Sequence, residues 1–281
     1  MQKFSALHDP QYERMVDGDE MGFAGIYLSA GLVILLLMLL LWLLSLRLRD
    51  ASIVDIFWGS GFVVCVWLYF AAAPGGLPQR QWLIVLLVTL WGLRLSLHIF
   101  RRNHGKEEDY RYQKWREENG AAWWWRSFLK VFLLQGMLMW IISVPLLAGQ
   151  MAAPAINWLD AAGAVLWLFG FYFEAAGDWQ LMRFKADPAN RGKLFTGGVW
   201  RYTRHPNYFG DAAQWWGFYL FAAAAGEYWT VYSPLLMTFL LLRVSGVAML
   251  ERSLQDNKPG YRDYMARTNA FFPWFPRKNL P

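Results

Sequence analysis

The sequence is poor in charged residues, cysteine and histidine, and each shortage excludes a class of protein or site. Charged residues make up only 17% of the 281 residues, which is less than an ordinary soluble domain contains. The single cysteine, Cys65, excludes an intrachain disulfide framework and a metal cluster held by cysteines. The four histidines are scattered along the chain, so no metal site is expected. The glycine-rich patterns of Rossmann and P-loop nucleotide sites are also missing.

Apolar residues, in contrast, make up 56% of the chain and aromatic residues 18%. Seven apolar runs are long enough to cross a hydrocarbon core of about 30 Å as helices. The sequence therefore predicts an all-α, polytopic membrane protein with seven transmembrane helices. We place the spans at Ile26–Leu46, Ile53–Ala73, Trp82–Phe100, Phe128–Ala148, Trp158–Leu181, Tyr208–Ala225 and Val231–Leu250.

Most lysines and arginines lie after the first, third and fifth spans and in the C-terminal tail, and only Lys3, Arg14 and Arg80 lie on the other side. The positive-inside rule predicts an outer N-terminus and a cytoplasmic C-terminus. Residues 1–20 form a polar leader whose acidic character does not suit a cleaved signal peptide, and residues 21–281 form one domain. The net charge of +6 needs no nucleic-acid partner to explain it, and no obligate protein partner is expected.

Two of the predicted cytoplasmic segments have recognisable patterns. The loop Arg101–Arg126 carries mixed charges and aromatic residues at helical spacing, which predicts a short amphipathic helix. The tail Tyr261–Pro281 contains Pro273 and Pro276, so we expect it to fold back over the cytoplasmic mouth rather than continue as a helix.

The segment Gly197–Asp211 joins polar and basic residues to a following apolar run. Pro206 suits the first turn of a helix, and Asn207 and Asp211 then share a face at i and i+4. The free N–H groups of that turn, with Arg204 beside them, suit an anionic ligand at the membrane surface. The alternative is an interfacial anchor of basic and aromatic residues, although such an anchor needs no buried Asn or Asp.

The predicted spans also contain ionisable residues, including Asp55, Arg94, Glu174 and Asp178. Such residues are costly in a bilayer and indicate function by default. The alternative is mutual pairing, in which Asp55 or Glu174 binds Arg94 or Arg243. For Asp178, which lies close in the chain to the Gly197–Asp211 segment, we favour function.

Together these residues form a mixed set of donors and acceptors. Cations bind phosphates, whereas carboxylates and amides bind ribose hydroxyls or a carboxamide, so the set predicts a nucleotide cofactor. Its members are Asp178, Lys185, Lys193, Arg204, Asn207, Tyr208 and Asp211.

The segments Asp178–Lys185, Gly197–Trp200 and Arg204–Asp211 resemble the steroid 5α-reductase superfamily, and specifically its bacterial steroid-reductase-like branch. The similarity runs over most of the chain after Ser52 and is strongest from Trp167 onward. The residues Asp55-x-x-Trp58, Arg94 and the run from Glu108 to Tyr112 also resemble that branch.

This resemblance implies a seven-helix enzyme of the bacterial inner membrane that binds NADPH from the cytoplasm. Its substrate would be a lipophilic enone such as a 3-oxo-Δ4-steroid, whose carbon–carbon double bond it would reduce. The implied catalytic residues are Asp55, Asn207 and Tyr208. The implied cofactor contacts are Arg94, Asp178, Lys185, Lys193, Tyr202, Arg204, His205, Asn207, Tyr208 and Asp211. The implied substrate contacts are Asp55, Trp58, Trp91 and Glu174.

The sequence departs from the family at the acid that binds the substrate ketone. Animal steroid reductases are expected to use a glutamate on helix two and a tyrosine on helix three, and the nearest positions are Asp55 and Trp91. An indole N–H donates a hydrogen bond but delivers no proton at neutral pH. We therefore expect a protonated Asp55 to act as the acid.

Two alternatives stay open. Membrane methyltransferases of the isoprenylcysteine type share R-H-P-x-Y and a pattern like Glu251-x-x-Leu254 followed by Tyr261-x-x-Tyr264. Their cofactor, S-adenosylmethionine, has no phosphate and fits the basic residues poorly. The sequence favours a transporter or receptor-like protein less, because the predicted outer loops are short and nearly uncharged.

Overall fold

A computed structural model describes residues 21–244, 246–247, 250–251, 254–255 and 258–277. The predicted polar leader, residues 1–20, lies outside this part of the chain. Most of the described residues are helical and none of them lies in a β-strand, which confirms the all-α class. Five helices are long and apolar enough to cross a membrane: Phe23–Leu48, Ile53–Ala72, Pro78–Asn103, Tyr110–Met151 and Trp158–Ala186. They contain nearly all of the first five predicted spans.

The chain begins with α1 (Phe23–Leu48), α2 (Ile53–Ala72) and α3 (Pro78–Asn103). The amphipathic helix predicted in the next loop is α4, Tyr110–Asn119. The fourth long helix is irregular and comprises α5 (Trp123–Ser127), a π-helical stretch (Phe128–Leu133), α6 (Leu134–Ile142) and α7 (Val144–Met151). The remaining described helices are α8 (Trp158–Ala186), α9 (Pro206–Ala224), α10 (Tyr232–Phe239) and α11 (Tyr261–Arg267).

The sixth and seventh predicted spans are not among these five long apolar helices. Helix α9 begins at Pro206, as expected, and most of its residues are buried within the bundle. The seventh predicted span contains α10 and the π-helical stretch Leu240–Val244, and its remainder falls partly outside the described residues. That the chain has seven spans, and how they are oriented, therefore stay predictions.

Small residues bring α8 and α9 into backbone contact. A Cβ atom on Gly210 would lie 2.4 Å from the carbonyl oxygen of Gly170, and one on Gly170 would lie 2.5 Å from that of Gly210. About two helical turns away, Gly163 and Gly217 approach each other in the same manner. Close approach of this kind is typical of helix pairs in membranes. It brings the polar residues of α8 next to those at the start of α9.

Pro145 interrupts the fourth long helix, and side chains of α10 bind two carbonyl groups that this interruption leaves free. A proline lacks the N–H that would bind the carbonyl four residues earlier. Tyr232 Oη donates to the carbonyl oxygen of Ile141 at 3.4 Å, and Ser233 Oγ donates to that of Ile142 at 2.6 Å. Such compensation is required where no water is available.

The two ends of the bundle differ in charge. Helices α1, α3 and α8 end near many basic residues, and we call this the basic end. At the opposite end, Arg80 Nε donates to Asp160 Oδ1 at 2.7 Å, and both side chains are fully buried. The same guanidinium donates to the carbonyl oxygens of Pro154 and Ala155. This ion pair joins α3 to the start of α8.

Candidate functional site

Arg94 connects α3 to two carboxylates of α8. Its Nη1 donates to Asp178 Oδ2 at 2.7 Å, and its Nη2 contacts Glu174 Oε1. One turn further along α3, His98 Nε2 lies 3.7 Å from Asp178 Oδ1. Of the pairings expected from the sequence, the one between Glu174 and Arg94 is therefore present.

Helix α9 completes this polar cluster. Gln214 Nε2 donates to Glu174 Oε2 at 2.5 Å, and Trp91 Nε1 donates to the same oxygen at 3.1 Å. Asn207 Nδ2 donates to Asp178 Oδ1 at 3.3 Å. Helices α3 and α9 thus converge on two carboxylates of α8, and Glu174 is only 2% exposed. We call Arg94, Glu174, Asp178, Asn207 and Asp211 the acidic cluster.

The acidic cluster has more hydrogen-bonding capacity than its own members use. It holds three carboxyl groups and only one guanidinium. Asp211 is 9% exposed, and its Oδ1 has no hydrogen-bond partner in the described chain. Arg94 Nε is likewise an unpaired buried donor among these residues. Unpaired buried polar atoms are rare in proteins, so this cluster is suited to binding a ligand with hydroxyl or amide groups.

A second polar group surrounds Asp55 at the start of α2. Tyr112 Oη donates to Asp55 Oδ1 at 2.7 Å, and Arg111 Nη2 donates to Asp55 Oδ2 at 3.0 Å. Gln135 Nε2 donates to the Tyr112 hydroxyl at 3.2 Å. We call Asp55, Arg111 and Tyr112 the phenol cluster. The sequence prediction assigned no role to Tyr112, although the Glu108–Tyr112 run was one of the signals for the family resemblance.

Glu108 fixes the position of α4 and hence of the phenol cluster. Its Oε1 accepts from the backbone N–H of Ala51 at 2.6 Å and from Arg116 Nη2 at 2.8 Å. Asp109 caps the helix by accepting from the backbone N–H of Arg111 at 3.0 Å. Burial acts to raise the pKa of Asp109, but its hydrogen bonds with Arg111 hold that pKa below its ordinary value. The cap is therefore ionised at neutral pH.

A group of basic residues lies near the two clusters. Arg102 interacts electrostatically with Asp55, Tyr208 and Lys185. Lys185 also interacts with Lys106 and Lys258. We call Arg102, Lys106, Lys185 and Lys258 the basic mouth. Lys193, another predicted cofactor contact, is exposed at the same end of the molecule.

Arg204 and His205, also predicted cofactor contacts, hold the C-terminal segment. Arg204 Nη2 and His205 Nε2 lie 2.5 Å and 3.3 Å from Glu251 Oε1. Arg204 also binds the carbonyl oxygens of Met265 and Thr268. Although burial acts to raise the pKa of Glu251, the hydrogen bonds from His205 and Arg204 lower it. The polar groups of this pair are thus engaged by the tail, which returns to the bundle as expected.

Residues 41–268 match the family model described as "Protein of unknown function (DUF1295)". The chain belongs to this family. It is 27% identical over 267 residues to an uncharacterized protein of Schizosaccharomyces pombe, and the alignment covers 83% of this chain and 75% of that protein. No solved structure matches the chain.

The DUF1295 match includes both clusters, the basic mouth and Glu251, and it ends at Thr268. The other predicted site residues lie around these groups. Tyr208 stacks on His205 with ring centroids 5.6 Å apart. Tyr202 contacts the ring of Phe275 in the tail. Trp58, one turn from Asp55, packs against Phe62.

Proposed function

We propose that this protein is a membrane-embedded, NADPH-dependent reductase of the carbon–carbon double bond of a lipophilic enone, such as a 3-oxo-Δ4-steroid. The observation that carries the proposal is the proximity of the acidic cluster, the phenol cluster and the basic mouth at one end of an apolar bundle. The chain's family is related to steroid 5α-reductase-like proteins, which supports the same chemistry. In this proposal the protein lies in a bacterial inner membrane, and the positive-inside rule directs the basic mouth toward the cytoplasm.

The donor set fits a phosphorylated dinucleotide. Lysine and arginine in the basic mouth suit the phosphates, and Lys193 lies at the same end. The unpaired oxygen of Asp211 and the amide of Asn207 suit ribose hydroxyls and a carboxamide. When bound, NADPH supplies the hydride that the reaction needs. The role proposed for Arg94 is to hold Asp178 in position for these contacts.

Tyr112 is the acid in this proposal, which revises the expectation for Asp55. Asp55 accepts hydrogen bonds from Arg111 and Tyr112, so it acts as a carboxylate that orients the phenol. Trp91 donates to Glu174 and supports the acidic cluster. On substrate binding the single O–H of Tyr112 turns from Asp55 Oδ1 to the substrate ketone, where it stabilises the negative charge that develops on that oxygen and serves as the proton source.

The decisive experiment identifies the cofactor. The full-length protein is purified in mild detergent and denatured, and the released small molecules are identified by mass spectrometry. We expect a pyridine dinucleotide, together with substrate-dependent NADPH oxidation when unsaturated ketone lipids are supplied. A folded protein that neither retains nor consumes NADPH with any of these lipids would contradict the proposal.

A second candidate function is methyl transfer of the isoprenylcysteine type. The observation that favours it is the contact of Glu251 with Arg204 and His205, which unites two parts of the pattern shared with those enzymes. S-adenosylmethionine has no phosphate, so it gives the basic mouth no role. Release of S-adenosylmethionine from the denatured protein, with transfer of its methyl group to a lipid acceptor, would establish this alternative.

A further inference from the structure

Two cavities lie along α1 on its side facing α5 and α6, and Trp42, which packs against Trp124 and Phe128, lies between them. The first has a volume of about 340 Å³ and is entirely surrounded by apolar residues and glycine, among them Leu28, Leu32, Leu35, Met38, Gly136 and Trp140. The second has a volume of about 360 Å³ and lies toward the basic end, where its lining includes Leu46, Arg49, Arg116, Trp123 and Trp124. Met38 and Leu46 are separated by about 12 Å along the helix axis.

The apolar cavity has firm walls. Trp140 stacks on Tyr27 with ring centroids 4.5 Å apart, and its Nε1 donates to the carbonyl oxygen of Tyr27 at 2.8 Å. A Cβ atom on Gly31 would lie 2.8 Å from the indole of Trp140, and one on Gly136 would lie 2.8 Å from Met38 Cγ. The two glycines therefore allow these side chains to lie against the opposite helix. The result is a preformed apolar groove between α1 and the fourth long helix.

The lining of the second cavity includes an arginine that is not paired with a carboxylate in the described chain. Arg116 is bound to Glu108, and its guanidinium lies over the Trp123 ring at 5.7 Å. Arg49 follows the last turn of α1 and is exposed, and its guanidinium has no partner among the described residues. Trp124 is 58% exposed, as is typical of tryptophan at a membrane interface. One free cation beside an interfacial tryptophan suits an anionic headgroup.

We propose that an anionic phospholipid of the leaflet at the basic end lies along this side of α1, with its phosphate at Arg49 and an acyl chain that passes over the exposed Leu39 and Leu43 side chains into the apolar groove. The charge at one end, the hydrocarbon lining at the other and their spacing along α1 match the polarity of such a lipid. A soluble anion would leave the groove unused, and a zwitterionic lipid would neutralise Arg49 less completely. The site is independent of the proposed reductase activity.

The test is native mass spectrometry of the full-length protein in mild detergent, titrated with phosphatidylglycerol or phosphatidylcholine. We expect one tightly held phosphatidylglycerol and weaker retention of phosphatidylcholine. Arg49→Gln should weaken phosphatidylglycerol binding by about tenfold, the effect of losing one charged hydrogen bond. The matched control is Arg47→Gln, which removes an equal charge from the same helix end outside the cavity lining and should leave binding unchanged.

The groove is tested separately. Leu35→Trp fills the apolar cavity and should weaken binding of both lipids, whereas Leu36→Trp, on an exposed neighbour outside the lining, should not. Equal retention of the two lipids, or equal effects of Arg49→Gln and Arg47→Gln, would overturn the proposal. So would full displacement of the lipid by inorganic phosphate, because that result would identify a site for a free anion.

Discussion

The hydroxyl of Tyr112 donates a hydrogen bond to Asp55 Oδ1 at 2.7 Å, which joins the amphipathic helix α4 to the start of α2. The two residues are 57 positions apart in the chain. Glu108 holds α4 in place through the backbone N–H of Ala51. This arrangement supplies an oriented phenol at the basic end of the bundle, which is the central element of the proposed chemistry.

Replacement of Tyr112 by phenylalanine should lower kcat for enone reduction by about 10²- to 10⁴-fold, the usual contribution of a general acid. Cofactor retention should be unchanged, because Tyr112 makes no contact with the acidic cluster in the described structure. The measurement is NADPH oxidation at saturating cofactor, alongside the dissociation constant of NADPH. Tyr110→Phe, on an exposed residue of the same helix, is the control. Turnover in Tyr112→Phe equal to that of the control would exclude the phenol as the acid.

Replacement of Arg94 by glutamine should destabilise the protein by about 3–5 kcal/mol, because it leaves buried carboxylates without their cation. The readout is the unfolding transition in detergent. Adding Glu174→Gln should restore part of the loss, since the second change removes one of the unpaired charges. Arg101→Gln, on an exposed residue of the same helix, should have little effect. If the double variant is no more stable than Arg94→Gln, the ion pair does not account for the loss.

Replacement of Gly210 by alanine should force α8 and α9 apart, because the new Cβ would lie 2.4 Å from the carbonyl oxygen of Gly170. We expect a loss of about 1–3 kcal/mol from overpacking and a weaker hold on the cofactor, since the same contact aligns Asp178 with Asn207. Thermal unfolding and NADPH affinity report the two effects. Gly22→Ala adds a methyl group where no atom lies within 4 Å and should change neither quantity.

Acidification should release the tail. The pKa of Glu251 is lowered from its ordinary value of 4.5 by His205 and Arg204. A lowered native pKa means that the contribution to stability is full above the ordinary value and is lost as the pH falls through the native one. Arg204 keeps its charge throughout.

Hydrogen exchange at the Trp274 amide, which donates to the carbonyl oxygen of Tyr202 at 2.9 Å, measures this release after correction for the intrinsic rate. Protection should decrease as the pH falls below about 4.5. In Glu251→Gln the protection should already be lower at neutral pH and should change little on acidification. An identical acid response in the two proteins would show that another group controls the tail.

Local features of the sequence were sufficient to predict where most of the long helices lie. The first five apolar runs predicted the five helices that are long and apolar enough to cross a membrane, because hydrocarbon thickness fixes the length that a span needs. Pro206 predicted the first turn of α9, and the charge pattern of the loop after α3 predicted α4. Each of these signals depends on neighbours within a few turns. The presence of a polar site near Asp178 was also evident from the sequence, since ionisable residues rarely occur in membrane helices without a role.

The partners of the polar residues were decided by the tertiary structure. Asp55 contacts Arg111 and Tyr112 rather than Arg94, and Arg204 binds Glu251 and the tail. Arg94 and Asp178 are 84 positions apart in the chain. The order in which helices pack determines which of several carboxylates meets which cation, and a charge pattern along one helix carries no information about that order. The sequence by itself determined where the helices and the ionisable residues lie, and packing determined which of those residues meet.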